Sequence, residues 1–212
     1  MQIEIYQDTA CPWCRIGKRH LEMALQGWQG EPVELRYRAF LLNPGLPAEG
    51  ADFREVMQAK GGGRVPLEAF FNAPRQRGAG VGLAFNFEKI TRAPNTELSH
   101  RLIAIAPTEK QAALIEAVYA AYFEHGQDIG DLVVLLDIGA ACGLDPAQSR
   151  AAMEGDGGRA VVAADVRQAR LLGIDGVPFF VIDGKYGLSG AQPPEAILAV
   201  LVRAAAERNQ AN

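Results

Sequence analysis

The sequence predicts an α/β fold that is interrupted by a large all-helical insertion. β-prone and helical segments alternate at the beginning of the chain and again at its end, whereas residues 48–156 show helical signals alone. A chain of 212 residues suits one large domain, or a domain with a sizeable insertion. Hydrophobic residues make up 49% of the chain, so we expect a packed core rather than disorder.

The chain opens with a β-α-β unit. Residues 2–6 are short and β-prone, residues 12–27 repeat apolar residues at helical spacing, and residues 33–38 alternate apolar with charged side chains. Two strands joined through a helix are expected to be parallel, with a right-handed crossover. The turn-rich segment 40–47 then ends this unit.

The middle of the chain is predicted to be helical throughout. Apolar periodicity, interrupted by capping and turn residues, divides it into candidate helices. These helices cover residues 52–60, 66–77, 96–105, 108–125, 131–141 and 146–154. We therefore interpret residues 48–156 as a helical insertion domain.

Alternating structure returns after the insertion, where Asp183-Gly184 is a pair typical of a hairpin turn. With the opening unit, these elements follow the order of a thioredoxin fold, so we predict a thioredoxin-fold domain formed by residues 1–47 and 157–212. The predicted elements here are a helix over 159–172, strands over 179–182 and 185–189, and a closing helix over 195–207.

Charge and hydropathy narrow the range of partners. The net charge is −4, with 21 basic and 25 acidic residues, and no basic block or basic–aromatic stripe indicates a nucleic-acid partner. The first residues do not have the pattern of a secretory signal, and no apolar run approaches the ~18–20 residues of a membrane span. We therefore expect a soluble cytoplasmic protein without a membrane partner. A monomer and a homodimer are both open.

The motif that carries chemistry is Cys11-Pro12-Trp13-Cys14, at a strand-to-helix junction. The free N–H groups and the dipole at a helix start favour a thiolate, so we expect a lowered pKa for Cys11. Pro12 suits the first turn, where its missing N–H is no loss. Cys14 lies three residues further on, close enough to attack a mixed disulfide formed on Cys11. This is the arrangement of a thiol–disulfide exchanger.

The cysteine count weakens two other interpretations. Three cysteines are too few for a disulfide scaffold, and a Cys₄ zinc site needs a second C-x-x-C pair, which the sequence lacks. We therefore expect no metal. Cys142, near a helix end, is interpreted as a small buried apolar residue, with a sensor role or an intermolecular disulfide as the alternative.

Motifs along nearly the whole chain resemble the DsbA-type branch of the thioredoxin superfamily and, more narrowly, the cytosolic FrnE-like proteins. The resemblance implies a DsbA-like thioredoxin fold. Some FrnE-like relatives have an additional carboxy-terminal cysteine pair, which this chain lacks after Cys142, so we expect no function that needs it. The matching residues are Cys11–Cys14 with Ile16-Gly17-Lys18, Leu42-Asn43-Pro44, Pro94-Asn95-Thr96 with His100-Arg101-Leu102, Gly176 to Phe180, and Ser189 to Gln192.

The resemblance also implies roles near the cysteines. Pro178, preceded by Val177, resembles the cis-proline loop that faces the cysteines in this superfamily. Such a loop exposes the backbone of Val177, which can pair with an extended substrate as an added strand does. We interpret Trp13 as an exposed apolar rim for a partner, with a position in the core as the alternative.

Four more residues are weaker candidates. Glu4, seven residues before Cys11, could carry protons for Cys14 if it is buried; the alternative is a solvent-facing residue on an edge strand. His100 is a candidate for lining the substrate cleft. Asn43 and Asn95 are candidates for binding substrate or glutathione, with turn and capping roles as the alternative.

We therefore expect a protein disulfide oxidoreductase or isomerase that acts through a mixed disulfide on a disulfide-containing protein or a small thiol. In a reducing cytosol, reduction or isomerisation is the easier cycle to sustain. No bound cofactor is expected, and glutathione is open as a co-substrate. One alternative is a glutathione-dependent isomerase or transferase acting on an aromatic or polyketide-like molecule, because such relatives share the split fold. These relatives typically have serine in place of Cys11, so the intact cysteine pair favours redox chemistry. A second alternative is a non-catalytic, chaperone-like binding module.

Overall fold

The computed structural model describes residues 1–62 and 66–211. The strands are β1 (Gln2–Gln7), β2 (Glu34–Ala39), β3 (Ala51–Asp52), β4 (Arg92–Ala93), β5 (Phe179–Ile182) and β6 (Tyr186–Ser189). The helices are α1 (Pro12–Gln26), α2 (Phe53–Lys60), α3 (Leu67–Ala79), α4 (Glu97–Ile105), α5 (Thr108–Phe123), α6 (Leu132–Ala141), α7 (Pro146–Glu154), α8 (Arg159–Leu171) and α9 (Pro194–Ala211).

Four of the strands form one mixed sheet in the order β2-β1-β5-β6. As the β-α-β pattern predicts, β1 and β2 are parallel, whereas β5 is antiparallel to both β1 and β6. Asp183 and Gly184 have φ angles of 47° and 65°, the left-handed conformation common in tight hairpin turns, and the N–H of Lys185 donates to the Ile182 carbonyl at 3.0 Å. The predicted hairpin is therefore present, and the central strand β1 joins the two ends of the chain.

The two faces of the sheet are covered by different helices. Ile3 and Ile5 of β1 pack with α1 and α9, while Tyr6, on the opposite face, packs with Ala169 of α8. Alternation along one strand thus supplies both hydrophobic layers, because successive side chains point to opposite faces. The cysteine motif lies at the end of β1, where α1 begins.

The insertion is built from α2 to α7 and confirms the predicted α/β fold with a helical insertion. Its core contains Phe71 and Phe87, whose stacked rings have centroids 4.5 Å apart. It is not purely helical, since β3 pairs with β4 and a 3₁₀ turn covers Phe87–Lys89. Asp52 pairs in β3 and its side chain accepts from the N–H of Glu55 at 3.0 Å, so α2 begins at Phe53 rather than at residue 52. The domain boundaries after residues 47 and 156 stay a prediction.

No described helix, in residues 1–62 or 66–211, combines the length and the apolar character needed to cross a membrane.

Candidate active site

The cysteine motif forms the first turn of α1. Cys11 is the N-cap residue, and its carbonyl accepts the N–H of Cys14 at 3.1 Å, so both sulfurs lie on one turn. Cys11 is 4% exposed and Cys14 1%, and both thiols are free. Trp13, between them in sequence, is 37% exposed. Trp13 thus lies at the surface, as interpreted, while the reactive pair lies just beneath it.

The proline loop lies directly against the first sulfur. The Val177–Pro178 bond is cis, and the Sγ of Cys11 donates to the Val177 carbonyl at 3.7 Å. The N–H of Gly190 donates to the Pro178 carbonyl at 2.8 Å, which holds the loop from behind. Gly190 has a φ of 80°, a conformation that favours glycine. The Ser189 to Gln192 segment therefore supports the proline loop.

Gly17 explains how α1 comes so close to this loop. A Cβ added at Gly17 would lie 2.7 Å from the Cγ of Pro178 and 3.3 Å from the ring of Phe180. Any other residue would push the proline ring away from the helix, because carbon atoms do not approach so closely. The glycine of the Ile16-Gly17-Lys18 motif thus sets the distance between the cysteine helix and the proline loop.

A cleft opens beside Trp13 and Val177. We call this cavity, which has a volume of about 370 Å³, the cysteine cleft. Its polar residues are His20, whose Nδ1 donates to the Gln192 carbonyl at 2.8 Å, and the exposed Arg77 of α3. Neither was a site residue predicted from the sequence, because a single His or Arg on a helix carries no motif. The full lining is Trp13, Ile16, His20, Arg77, Val177, Gly190 and Ala191.

Behind the cysteines, the contacts are polar and buried. Burial raises the pKa of the Cys14 thiol well above its ordinary value, and the Cys11 sulfur raises it further. The backbone of Asp8 lowers this pKa, whereas the charge of the Asp8 carboxylate raises it. The pKa of Tyr119 is also raised well above its ordinary value, first by burial and then by the charges of Cys14 and Cys11. Cys14 and Tyr119 are therefore both neutral at neutral pH.

The insertion is hydrogen-bonded to the segment before Cys11. The Tyr119 hydroxyl of α5 donates to the Oε1 of Gln7, and the hydroxyls of Thr9 and Ser99 lie 2.7 Å apart. Thr96 donates to the Oδ2 of Asp8 at 3.2 Å. The segment that carries the cysteines is therefore fixed by α4 and α5 as well as by the sheet.

The helix α1 also forms buried ion pairs with α5. Arg15, a nearly buried residue, pairs with Glu116 at 2.7 Å and with Glu124 at the end of α5. Its Nη1 donates to the Ala84 carbonyl at 3.1 Å. Lys18 pairs with Glu116 at 3.7 Å. These contacts satisfy the two cations, which would otherwise be costly to bury.

The structure corrects the interpretation of Glu4. β1 is the central strand rather than an edge, and the Glu4 carboxylate accepts from Arg38 at 2.8 Å. Arg38 also donates to Asp165 of α8 at 3.1 Å, so Glu4 belongs to an ion-pair network against α8. The carboxylate that acts on Cys14 is that of Asp8. Asp8 was missed because a single acid in a turn has no signature.

His100 does not lie in the cysteine cleft either. It is 2% exposed and lines a second cavity of about 310 Å³ between β2, α4, α5 and α8, which shares no lining residue with the first. Burial lowers the pKa of His100, although Asp8 and Asp165 oppose this shift. The candidate role of His100 in the substrate cleft is therefore corrected to a position in the interior.

Asn95 acts within the protein, whereas for Asn43 only a backbone contact is seen and its binding role stays a prediction. The Nδ2 of Asn95 donates to the Leu46 carbonyl at 2.8 Å, and its Oδ1 accepts the N–H of Glu97 at 3.0 Å. The carbonyl of Asn43 accepts the N–H of Leu46 at 3.2 Å. For Asn95, both polar atoms of the amide are occupied, which favours the capping alternative over substrate binding.

Cys142 lies at the C-cap of α6, half-buried, and burial raises its pKa.

Within the described part of the chain, no group of three or more His, Cys, Asp or Glu side chains could hold a metal ion.

Comparisons with known proteins agree with this geometry. A probable DsbA oxidoreductase from Streptomyces coelicolor is 33% identical, with a TM-score of 0.90 over 98% of this chain and 91% of that chain. The cytosolic disulfide reductase DsbM from Pseudomonas aeruginosa, solved with GSH, is 20% identical, with a TM-score of 0.67 over 96% of this chain and all of that chain. A 2-hydroxychromene-2-carboxylate isomerase is 16% identical, with a TM-score of 0.69 and full coverage of both chains. The family described as the DSBA-like thioredoxin domain matches residues 2–202. The chain therefore belongs to the DSBA-like thioredoxin family.

Proposed function

We propose that this protein is a cytoplasmic thiol–disulfide oxidoreductase of the FrnE-like branch, in which Cys11 is the nucleophile and Cys14 the resolving thiol. The observation that carries the proposal is the contact of 3.7 Å between the Cys11 sulfur and the Val177 carbonyl, at the edge of the cysteine cleft. Both cysteines are buried, but Cys11 is the more exposed of the two and is the one that contacts Val177 of the proline loop, so we expect a substrate to react with Cys11 first.

The reaction divides into two exchanges. The Cys11 thiolate attacks one sulfur of the substrate disulfide, which forms a mixed disulfide and releases one substrate thiol after protonation. Cys14 then loses its proton and attacks the Cys11 sulfur, which forms the Cys11–Cys14 disulfide and releases the second substrate thiol. Two electrons pass from the dithiol to the substrate, and an external thiol such as glutathione restores the dithiol.

Val177, Pro178 and Trp13 would hold the substrate. An extended substrate chain beside Cys11 can pair with the backbone of Val177, as in strand addition to a sheet edge. The partly exposed indole of Trp13 lines the same cleft as Val177 and offers the substrate an apolar contact. Contacts with the backbone and an aromatic ring are tolerant of substrate sequence, which suits a protein that acts on several disulfides.

Glutathione is the small thiol that the cysteine cleft fits best. Its lining includes the guanidinium of Arg77 and no acidic side chain, so it favours a ligand with a carboxylate. The cytosolic reductase DsbM, which shares the fold, was solved with GSH. Both observations support reduction or isomerisation of disulfides in the cytoplasm, with glutathione as the electron donor.

The proposal is tested by the reduction of insulin with dithiothreitol as the electron donor. We expect the wild-type protein to accelerate the reaction and Cys11→Ser to fall to the uncatalysed rate, because the variant lacks the attacking thiolate. Cys142→Ser is the control, and its rate should equal that of the wild type. An unchanged rate for Cys11→Ser would overturn the proposal.

The direction of exchange follows from the equilibrium of the Cys11–Cys14 couple with glutathione. A potential of about −270 mV would support a reductase, whereas about −120 mV would indicate an oxidant.

A glutathione-dependent isomerase or transferase is the second candidate, because a hydroxychromene-carboxylate isomerase shares the fold over its full length. The intact cysteine pair favours redox chemistry over this candidate. Addition of glutathione to an aromatic electrophile that Cys11→Ser performs as well as the wild type would favour the isomerase or transferase. The non-catalytic alternative predicts that Cys11→Ser,Cys14→Ser suppresses client aggregation as well as the wild-type protein does.

A further inference from the structure

Asp8 is a buried carboxylate directly before the cysteine turn. It is 1% exposed, and its Oδ1 accepts the N–H of Ala10 at 2.8 Å. Its Oδ2 accepts the N–H of Leu42 at 2.6 Å and the hydroxyl of Thr96 at 3.2 Å. All three partners donate, which fits the ionised carboxylate because that form only accepts. The three bonds offset the cost of burying the charge.

The backbone of the same residue is linked to both cysteines. The Asp8 carbonyl accepts the N–H of Cys11 at 3.0 Å, and the Cys11 carbonyl in turn accepts the N–H of Cys14 at 3.1 Å. A change in the position of Asp8 is therefore transmitted along the backbone to both cysteines.

The other ionisable groups near Cys14 are either neutral or already part of an ion pair. The phenol of Tyr119 is neutral, and Glu116, which acts on Tyr119, forms ion pairs with Arg15 and Lys18. Asp8 has three hydrogen bonds, but it has no cation as a partner among the described residues. Its negative charge is therefore not offset by an ion pair with any of the described residues.

We infer that Asp8 is a positioning residue of the cysteine pair: its carboxylate fixes the turn before Cys11 to α4 and to Leu42, and it places a buried negative charge behind Cys14. This charge opposes the formation of a thiolate on Cys14, so Cys14 remains a neutral thiol. The inference rests on the proposed exchange reaction for its functional consequence. That consequence is a longer-lived mixed disulfide on Cys11, open to attack by a second thiol such as glutathione.

The first test measures the titration of the Cys14 thiol and needs no exchange reaction. In a Cys11→Ser,Cys142→Ser background, Cys14 is the only cysteine, and thiolate absorbance in the ultraviolet follows its titration. We expect both Asp8→Asn and Asp8→Ser to shift the titration of Cys14 to lower pH, because both remove the charge. Asp145→Asn, which changes the exposed N-cap acid of α7, is the matched control and should leave the titration unchanged.

The two neutral variants differ in size and hydrogen bonding, so at least one folded variant is expected, as checked by circular dichroism. Thr96→Val removes one hydrogen bond to the carboxylate and keeps the charge. It should lower stability without the shift that the two neutral variants produce. A Cys14 titration that stays in place in a folded Asp8→Asn or Asp8→Ser protein overturns the inference, whatever the outcome of the insulin assay.

The second test measures the resolving step. In Cys142→Ser protein, dithiobis(nitrobenzoate) forms a mixed disulfide on Cys11 and releases one thionitrobenzoate. Attack by Cys14 on the Cys11 sulfur then releases a second one, while the Cys14 proton goes to solvent. If the midpoint of the Cys14 titration falls by about one pH unit, Asp8→Asn should release the second thionitrobenzoate about threefold faster. The fraction of Cys14 thiolate rises, but a thiolate of lower pKa is a weaker nucleophile, which offsets part of the gain. A second release that is unchanged or slower in folded Asp8→Asn would contradict the inferred effect on resolution.

Discussion

On the side of the cysteine cleft, the Cys11 sulfur contacts the Val177 carbonyl, and the cleft itself is lined by apolar residues such as Ile16 and by the exposed Arg77. On the side of the insertion, the cysteine turn adjoins Asp8 and Tyr119, which are buried and hydrogen-bonded. The cleft side can adapt to different substrates, because its contacts are apolar or made by the backbone. The insertion side cannot, since every displacement would break buried polar contacts. In the proposed function, substrate recognition and control of the thiols therefore belong to opposite sides of one helix turn.

The largest effect on stability is expected from Arg15→Ala, which breaks the ion pairs of the insertion side. The variant loses two carboxylate partners and leaves the Ala84 carbonyl without its donor. We expect the free energy of unfolding to fall by about 2–3 kcal/mol, below the full cost of a broken buried pair because Glu116 and Glu124 are partly exposed. Urea denaturation measures the loss.

Arg150→Ala is the control for this prediction, because its ion pair with Glu154 is exposed. It should change stability by at most about 0.5 kcal/mol. Equal effects at Arg15 and Arg150 would show that the insertion is not fixed to α1 by the buried pairs.

The next largest effect is expected from Gly17→Ala, which forces helix α1 against the proline loop. Alanine favours a helix by up to about 1 kcal/mol, but its Cβ would overlap the Pro178 ring, and overpacking costs about 1–3 kcal/mol. We expect a net loss of stability together with slower insulin reduction, because the proline loop moves away from Cys11. Denaturation and the insulin assay measure the two effects.

Gly139→Ala in α6 is the matched control, since its Cβ would meet Leu144 at 3.4 Å, an ordinary contact. It should be neutral or stabilising. If Gly17→Ala were also neutral or stabilising, the close approach of α1 to Pro178 would not be needed for stability or activity.

The smallest effect is expected from Arg77→Ala on the cleft side. The KM for glutathione disulfide should rise about fivefold, corresponding to ~1 kcal/mol for a partly exposed ion pair. The rise in KM for an uncharged disulfide such as hydroxyethyl disulfide should be smaller. The ratio of the KM values for the two disulfides measures the preference for a carboxylate.

Arg75→Ala is the control on the same helix, because Arg75 pairs with Glu68 and Glu88 and does not line the cleft. A ratio that moves equally in both variants would refute the role proposed for Arg77.

Local patterns were sufficient to predict most of the fold. The alternation in β2, the helical period of α1 and the Asp183-Gly184 turn each act over a few residues, so the sequence alone reveals them. The ladder of β3 and β4 was missed because two residues per strand are too few to show alternation. Its partners are Ala51 and Ala93, which lie far apart in sequence.

The site was predictable where chemistry depends on spacing. Cys11 and Cys14 are recognised by their interval, whereas Asp8 and Arg77 become relevant only through contacts with distant segments. Glu4 was chosen for its distance in sequence from Cys11, but Arg38 and α8 determine its surroundings. Similarly, the position of His100 on α4 was predicted, but not the side of the helix that would face the cleft.

The pairing of β1 with β5 has a consequence for the newly made protein. Ile3 can meet Ile182 only after β5 has left the ribosome, more than 170 residues after β1. Until then, the thiols of Cys11 and Cys14 lack both the proline loop and their sheet, and they meet cellular thiols and oxidants as part of an unfinished chain. The environment that the fold provides for the two thiols is therefore complete only when β5 and β6 have been added to the sheet.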